Sequence, residues 1–83
     1  MITMIVALTF LKVAKGKLAQ VVEELSNMAK VKSVTVLTGD YDCIAELEVN
    51  EPAELYNIWI EKMDNIAGIN ETNTHIVVKK VEL

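Results

Sequence analysis

The residues best suited to chemistry lie together in the middle of the chain, in the segment Leu37–Cys43. Gly39, Asp40, Tyr41 and Asp42 bring a glycine, a phenol and two carboxylates into one short loop. A free amino acid carries an ammonium and a carboxylate close together. Asp40 or Asp42 could bind the ammonium, and the backbone N–H groups around Gly39 could bind the carboxylate. The segment therefore predicts a site for a small zwitterion, although an ordinary turn explains the same residue types more simply.

A second polar group lies near the end of the chain, at Thr72, Thr74 and His75. The two hydroxyls could add hydrogen bonds to a ligand if the last strand of the same or another subunit approaches the loop. His75 and Cys43 are the chain's single histidine and single cysteine. One of each does not make a zinc site, and a cysteine on the inward face of a strand is more typical of an inert apolar residue than of a nucleophile. We expect no catalytic residue, metal or cofactor.

The elements around these residues follow from hydrophobic periodicity and from turn residues. Cys43, Ala45, Leu47 and Val49 alternate with acidic residues and predict the inward face of a strand. The whole pattern predicts strands at 2–13, 31–38, 42–50 and 69–79, a helix at 17–30, and a second helix that starts at Asn50-Glu51-Pro52 and ends at Gly68.

The resulting order, βαββαβ, predicts an α+β ferredoxin-like sandwich, with two helices on one face of a four-stranded antiparallel sheet. The first strand is apolar on both sides, so we expect both faces of the sheet to be covered. A hydrophobic content of 52% and a mean hydropathy of +0.30 are high for a single domain of 83 residues. We therefore expect a second subunit's sheet to cover the other face, at Ile5, Ala7, Leu11, Ile44 and Val77 or at the residues that alternate with them.

The charge of the chain argues against several classes of partner. The net charge is −4 with a pI of about 4.8, and only 8 cationic residues are spread along the chain. Nucleic-acid binding depends on clustered cations, so we expect no direct contact with DNA or RNA. No apolar run reaches the ~18 residues of a membrane span, and no basic segment precedes the apolar N-terminus. The lone cysteine fits a cytoplasmic location.

Two motifs carry a resemblance to a known family. Thr38-Gly39-Asp40-Tyr41-Asp42 stands between two strands, and Gly68-Ile69-x-x-Thr72-x-Thr74 leads into the last one. Both motifs, and the helix order between them, resemble the effector-binding domain of Lrp/AsnC transcription regulators, also called the RAM domain. The resemblance runs over essentially the whole chain, which we interpret as one domain, residues 1–83.

The resemblance implies a dimeric α/β-barrel formed by two ferredoxin-like units, and further assembly into a ring that is typically an octamer. It implies amino-acid effectors bound where dimers meet. The residues it assigns to the effector site are Gly39, Asp40, Tyr41, Asp42, Thr72, Thr74 and His75, with Val36 as a weaker candidate. Full-length members carry an N-terminal helix-turn-helix domain. Since our first predicted strand starts at Ile2, we expect a stand-alone form that could mix with full-length regulators.

Three functions remain open at this point. The first is a non-enzymatic module in transcriptional regulation that binds an amino acid and self-assembles. The second is a small dimeric α/β-barrel enzyme, resembling a monooxygenase or an isomerase, with a titratable cluster around Glu46, Glu48 or His75. The third is an amino-acid-binding module of the ACT type, which shares the βαββαβ order but places its ligand elsewhere.

Overall fold

The predicted order of elements is confirmed in the computed structural model, which describes residues 4–83; residues 2 and 3 of the first predicted strand lie outside that range. The strands are β1 (Ile5–Val13), β2 (Val31–Val36), β3 (Cys43–Val49) and β4 (Ile69–Ile76). The helices are α1 (Leu18–Ser26) and α2 (Pro52–Glu61), and a 3-10 turn follows at Met63–Asn65.

The four strands form one antiparallel sheet in the order β2-β3-β1-β4. Strand β1 is a central strand, and it pairs with β3 on one side and with β4 on the other. Leu11 is opposite Cys43 in β3 and opposite Thr72 in β4. The end of β1 therefore brings the two sequence motifs to neighbouring positions, although they are far apart along the chain.

One face of the sheet carries both helices and holds the core. Its inward residues from β3 are Cys43, Ala45, Leu47 and Val49, all fully buried, which confirms the predicted inward side of that strand. Among residues 4–83, the buried apolar residues are Ala7, Leu11, Val21, Leu25, Cys43, Ala45, Leu47, Val49, Leu55 and Met63. Burying one such leucine stabilises the fold by about 1.5–3 kcal/mol. We call this side of the sheet the covered face.

The opposite side, which we call the open face, corrects one of our expectations. Ala7 and Leu11 are fully buried under the helices and so belong to the covered face, whereas Ile44 and Val77 lie on the other side as expected. The predicted set therefore mixed the two faces. Because both alternating sets of β1 are apolar, only its register with β3 decides which set faces the helices. The half-buried residues of the open face include Val6, Leu8, Phe10, Ile44, Glu46, Glu48 and Val77.

The helix ends differ from the predicted ones. The second helix stops at Glu61 and the 3-10 turn takes its place, so Gly68 follows that turn and does not cap the helix. Gly68 does have the predicted positive φ, +100°. A Cβ there would lie 2.7 Å from Lys17 Cβ, and the Gly68 carbonyl accepts a 2.7 Å hydrogen bond from the Ala14 N–H. Glycine is thus required because the chain passes close to the start of α1.

The predicted cap of α2 is also wrong in detail. Glu51 occupies the N-cap position and makes no side-chain capping bond. The Asn50 N–H instead donates to Glu54 Oε2 at 3.2 Å. Pro52 stands in the first turn, where its missing N–H costs nothing.

Candidate functional site

The loop between β2 and β3, residues 37–42, is fixed at its base. The Leu37 N–H donates to the Asp42 carbonyl at 2.9 Å and closes the loop. The Asp42 N–H donates to the Leu11 carbonyl at 2.9 Å, and Asp42 Oδ2 accepts a 2.7 Å bond from the Val13 N–H. Hydrogen bonds to a carboxylate are stronger than neutral ones. Asp42 therefore holds the loop against the end of β1 with both its backbone and its side chain.

The tip of the same loop is exposed. Gly39 has φ +111° and open space where a Cβ would be. Asp40 follows it and is also exposed, and no hydrogen bond or ion pair among residues 4–83 engages its carboxylate. The loop thus presents an anion and an exposed backbone turn on a base held by hydrogen bonds.

Tyr41 leaves the loop and lies over the open face. Its ring is tilted against Phe10, with centroids 5.4 Å apart, and Phe10 meets His75 edge-on at 5.6 Å. Asn73 Nδ2 donates to Tyr41 Oη at 2.9 Å, and Lys12 Nζ lies 5.4 Å from the centre of the Tyr41 ring. This aromatic cluster joins the two sequence motifs through side chains. Aromatic contacts of this kind contribute about 0.5–1.5 kcal/mol each.

The two threonines lie on the opposite side of β4 from His75. Thr74 shares a 2.8 Å hydrogen bond with the buried Thr9 of β1. Thr72 is exposed and borders a shallow pocket of about 180 Å³ beside the 3-10 turn and the start of β4. A strand alternates its side chains between faces, so neighbouring residues of one motif are directed to different environments. The predicted residues therefore occupy three places: the loop, the aromatic cluster and the helix side of β4.

The sequence pattern did not identify Phe10, Lys12 and Asn73 as candidate site residues. Asn73 lies inside the second motif, between its two threonines, and this position was a usable signal. Phe10 and Lys12 become neighbours of Tyr41 only through the register of β1 with β3 and β4. No sequence spacing indicated that register.

The only cysteine is not placed for nucleophilic chemistry. Cys43 is fully buried on the covered face, while His75 lies on the other side of the sheet. Burial raises the pKa of the Cys43 thiol, and the nearby Asp42 charge raises it further. The thiol is thus kept in its unreactive protonated form. Among residues 4–83, no three or more His, Cys, Asp or Glu side chains converge on a possible metal position.

Comparison with known proteins decides the family. A family model described as the Lrp/AsnC ligand binding domain matches residues 3–82. The chain belongs to this Lrp/AsnC ligand-binding family. It is 37% identical over 78 residues to an uncharacterised HTH-type transcriptional regulator of Pyrococcus abyssi, covering 92% of this chain and 49% of that protein. A homocitrate synthase of Sulfurisphaera tokodaii is 38% identical over 61 residues, which are 74% of this chain and 13% of the enzyme. The chain spans about half the length of the curated regulator that it matches.

Solved structures of similar proteins confirm the ferredoxin-like fold of this Lrp/AsnC domain. A hypothetical protein of Pyrococcus horikoshii superposes with a TM-score of 0.84 at 30% identity, covering 92% of each chain. A transcriptional regulator of Neisseria meningitidis in complex with L-Met superposes with a TM-score of 0.85 at 16% identity. That comparison covers 95% of this chain and 54% of the regulator. Within residues 4–83, no helix has the length and apolar character that crossing a membrane requires.

Proposed function

We propose that this Lrp/AsnC domain is a non-enzymatic module of transcriptional regulation that binds an amino acid at the 37–42 loop and self-assembles. The observation that carries the proposal is the contrast within that loop: its base is held to β1 by Asp42, and its tip at Gly39 and Asp40 is exposed. A rigid base lowers the ordering cost of binding. An exposed carboxylate next to a backbone turn is complementary to a zwitterion.

The two aspartates take different roles in this proposal. Asp42 is a positioning residue, because its carboxylate already accepts the Val13 N–H. Asp40 supplies the anion for the ligand ammonium, and the backbone N–H groups near Gly39 bind the carboxylate. Thr72 and Thr74 lie on the helix side of β4, apart from the loop of their own chain, so in this proposal they add to the site from another subunit. The L-Met complex of the Neisseria regulator, which shares this fold, supports an amino acid as the ligand class.

Assembly is the second half of the proposal. The open face carries apolar side chains that no helix of residues 4–83 covers, and a second copy, sheet against sheet, would bury them in a dimeric α/β-barrel. Such dimers would join into a ring, octamer-like in size, with ligands at the contacts between dimers. The acidic balance of the chain supports regulation through full-length Lrp/AsnC regulators without direct DNA contact. The free cysteine supports a cytoplasmic location.

Non-enzymatic binding is favoured over catalysis by a nucleophile and a base, because His75 and Cys43 are not placed to act together. His75 packs edge-on against Phe10, and Cys43 is buried on the other face. No pair of these groups is arranged as nucleophile and base.

Calorimetry against each of the twenty amino acids tests the proposal on the assembled protein. We expect at least one to bind, and Asp40→Asn to weaken that binding by about tenfold or more, since a charge-assisted hydrogen bond contributes about 1.5–3 kcal/mol. Glu23→Gln is the matched control, because it removes one exposed charge on α1, away from the loop, and should leave the affinity unchanged. Absence of binding by all twenty, or equal affinities for the Asp40 variant and the wild type, would overturn the amino-acid assignment.

A further inference from the structure

The C-terminal segment, residues 77–83, is the least buried apolar part of the described chain. Val77 continues the sheet, because its N–H donates to the Val6 carbonyl at 2.8 Å. Beyond it the segment leaves the sheet, and Val78 is 96% exposed. Val81 and Leu83 are exposed as well. A segment with three exposed aliphatic side chains gains stability by docking on another surface.

The open face offers a groove beside this segment. It has a volume of about 400 Å³ and is lined by Val6, Leu8, Glu46, Glu48, Val77, Lys79 and Lys80. Glu46 and Glu48 are half-buried next to the apolar side chains of β1. Among residues 4–83 neither carboxylate forms an ion pair, and Lys80 contacts Glu82 at 3.6 Å within the exposed segment. Two carboxylates on the sheet and two ammonium groups on the segment thus line one groove without forming an ion pair with each other.

The charges of the groove are arranged as a twofold-symmetric dimer would require. A dimer made by one surface with itself must be self-complementary, so each charged group needs its opposite elsewhere on the same surface. The open face and the segment meet that condition, with an acidic pair at Glu46 and Glu48 and a basic pair at Lys79 and Lys80. Charges that face each other in this way set the register of an interface and exclude wrong partners.

We propose that the C-terminal segment of one copy crosses onto the open face of a second copy. There Lys79 and Lys80 lie opposite the second copy's Glu46 and Glu48, and Val78 and Val81 pack on its apolar side chains. This inference rests on the sheet-to-sheet dimer of the proposed function, and it adds which residues pair between the copies.

Mixing two charge-reversed variants tests the pairing. Lys79→Glu/Lys80→Glu and Glu46→Lys/Glu48→Lys should each form homodimers about tenfold weaker or more than the wild type, because each places like charges opposite each other. An equal mixture should give heterodimers of wild-type affinity, since both contacts across the interface again join opposite charges. Because lysine and glutamate have nearly equal masses, one variant is labelled uniformly with ¹⁵N, and native mass spectrometry then separates the heterodimer from both homodimers by mass.

Pairing within one chain predicts a different result. Each variant chain would then carry its own repulsion whatever its partner, and the mixture would dimerise no better than the separate variants. That result would overturn the proposal, as would homodimers of unchanged affinity in both variants. The matched controls are Lys15→Glu/Lys62→Glu and Glu23→Lys/Glu24→Lys, which reverse exposed charges outside the groove and should dimerise as the wild type does.

Two further measurements keep the outcomes distinct. Lys79→Ala/Lys80→Ala removes the attraction without adding repulsion, so it should weaken the homodimer less than the glutamate variant, and a circular dichroism spectrum checks that every variant is folded. The wild type is measured first. A monomeric wild type contradicts the assembly in the proposed function and the pairing with it, whereas a wild-type dimer with no recovery on mixing contradicts the pairing alone.

Discussion

The two faces of the sheet are built from the same strands but end in different states. On the covered face, Leu11 and Leu47 are fully buried by the protein's own helices. On the open face, Leu8, Phe10 and Ile44 come from the same two strands and remain half-buried. The covered face therefore supplies the stability of one chain, whereas the open face is the surface that we propose contacts another. The candidate site lies where these two roles meet, at the end of β1.

The largest expected effect separates the two faces directly. Leu11→Ala should lower the free energy of unfolding by about 2–5 kcal/mol, because it leaves a cavity in the core. Leu8→Ala, the matched control on the open face of the same strand, should destabilise the isolated chain by much less and should weaken self-association. Denaturant unfolding at two protein concentrations distinguishes these effects, since only an association-linked loss changes with concentration. Equal, concentration-independent losses in both variants would contradict the division into two faces.

The next prediction concerns Gly68, where the chain passes close to the start of α1. Gly68→Ala should cost about 1–2 kcal/mol for a left-handed backbone and about 1–3 kcal/mol more for the 2.7 Å approach to Lys17 Cβ. Gly16→Ala is the control, because Gly16 has φ +82° but open space around it. Only the cost of the left-handed backbone applies there. Thermal unfolding of both variants measures the difference. A Gly16 variant that is the less stable of the two would show that the contact with α1 is unimportant.

A smaller effect distinguishes the base of the loop from its tip. Asp42→Ala should cost about 1–3 kcal/mol, because the Val13 N–H loses its acceptor. Asp40→Ala should change the stability by less than about 0.5 kcal/mol, as for other exposed positions. Hydrogen exchange of the Val13 amide should speed up in the Asp42 variant alone. Unchanged exchange there would remove Asp42 as the anchor of the loop.

The smallest predicted effect is a dependence on pH. The pKa of Cys43 is raised in the folded protein, so the folded state keeps its proton at a pH where the unfolded chain has released it. The stability from this group is fully present below the unfolded thiol pKa of about 8.5, and it is lost as the pH rises towards the folded value. Wild-type stability should therefore fall more steeply than that of Cys43→Ala above this pH. Parallel curves for the two proteins would be evidence against the raised pKa.

Much of the fold was predictable because its signals are local. The alternation of Cys43–Val49 indicated the inward face of β3, and turn residues between apolar segments gave the order of the elements. The faces of β1 were not predictable, because apolar residues occupy both of its sides. Their assignment depends on pairing with β3, a contact between residues distant in sequence. The end of α2 was not predicted correctly either, because the 3-10 turn that follows it carries no strong sequence signal.

The candidate site was predictable as two motifs but not as a geometry. The sequence indicated the loop at Gly39–Asp42 and the threonines of β4, and the register places both beside Leu11. It could not show that Asp42 is engaged by the Val13 N–H, or that Tyr41 reaches across Phe10 to Asn73. Those contacts depend on how three strands are arranged. Residue types alone do not determine towards which strand the side chain of a loop residue is directed.

The central claim is that an exposed face and an anchored loop together make a ligand-binding module that works as an assembly. Native mass spectrometry of the wild type, with and without an equimolar mixture of the twenty amino acids, tests both halves at once. We expect a dimer or a larger even assembly, with added mass equal to a whole number of one amino acid, and the same assembly without that mass for Asp40→Asn. A monomer with no bound mass at any amino-acid concentration would contradict the account.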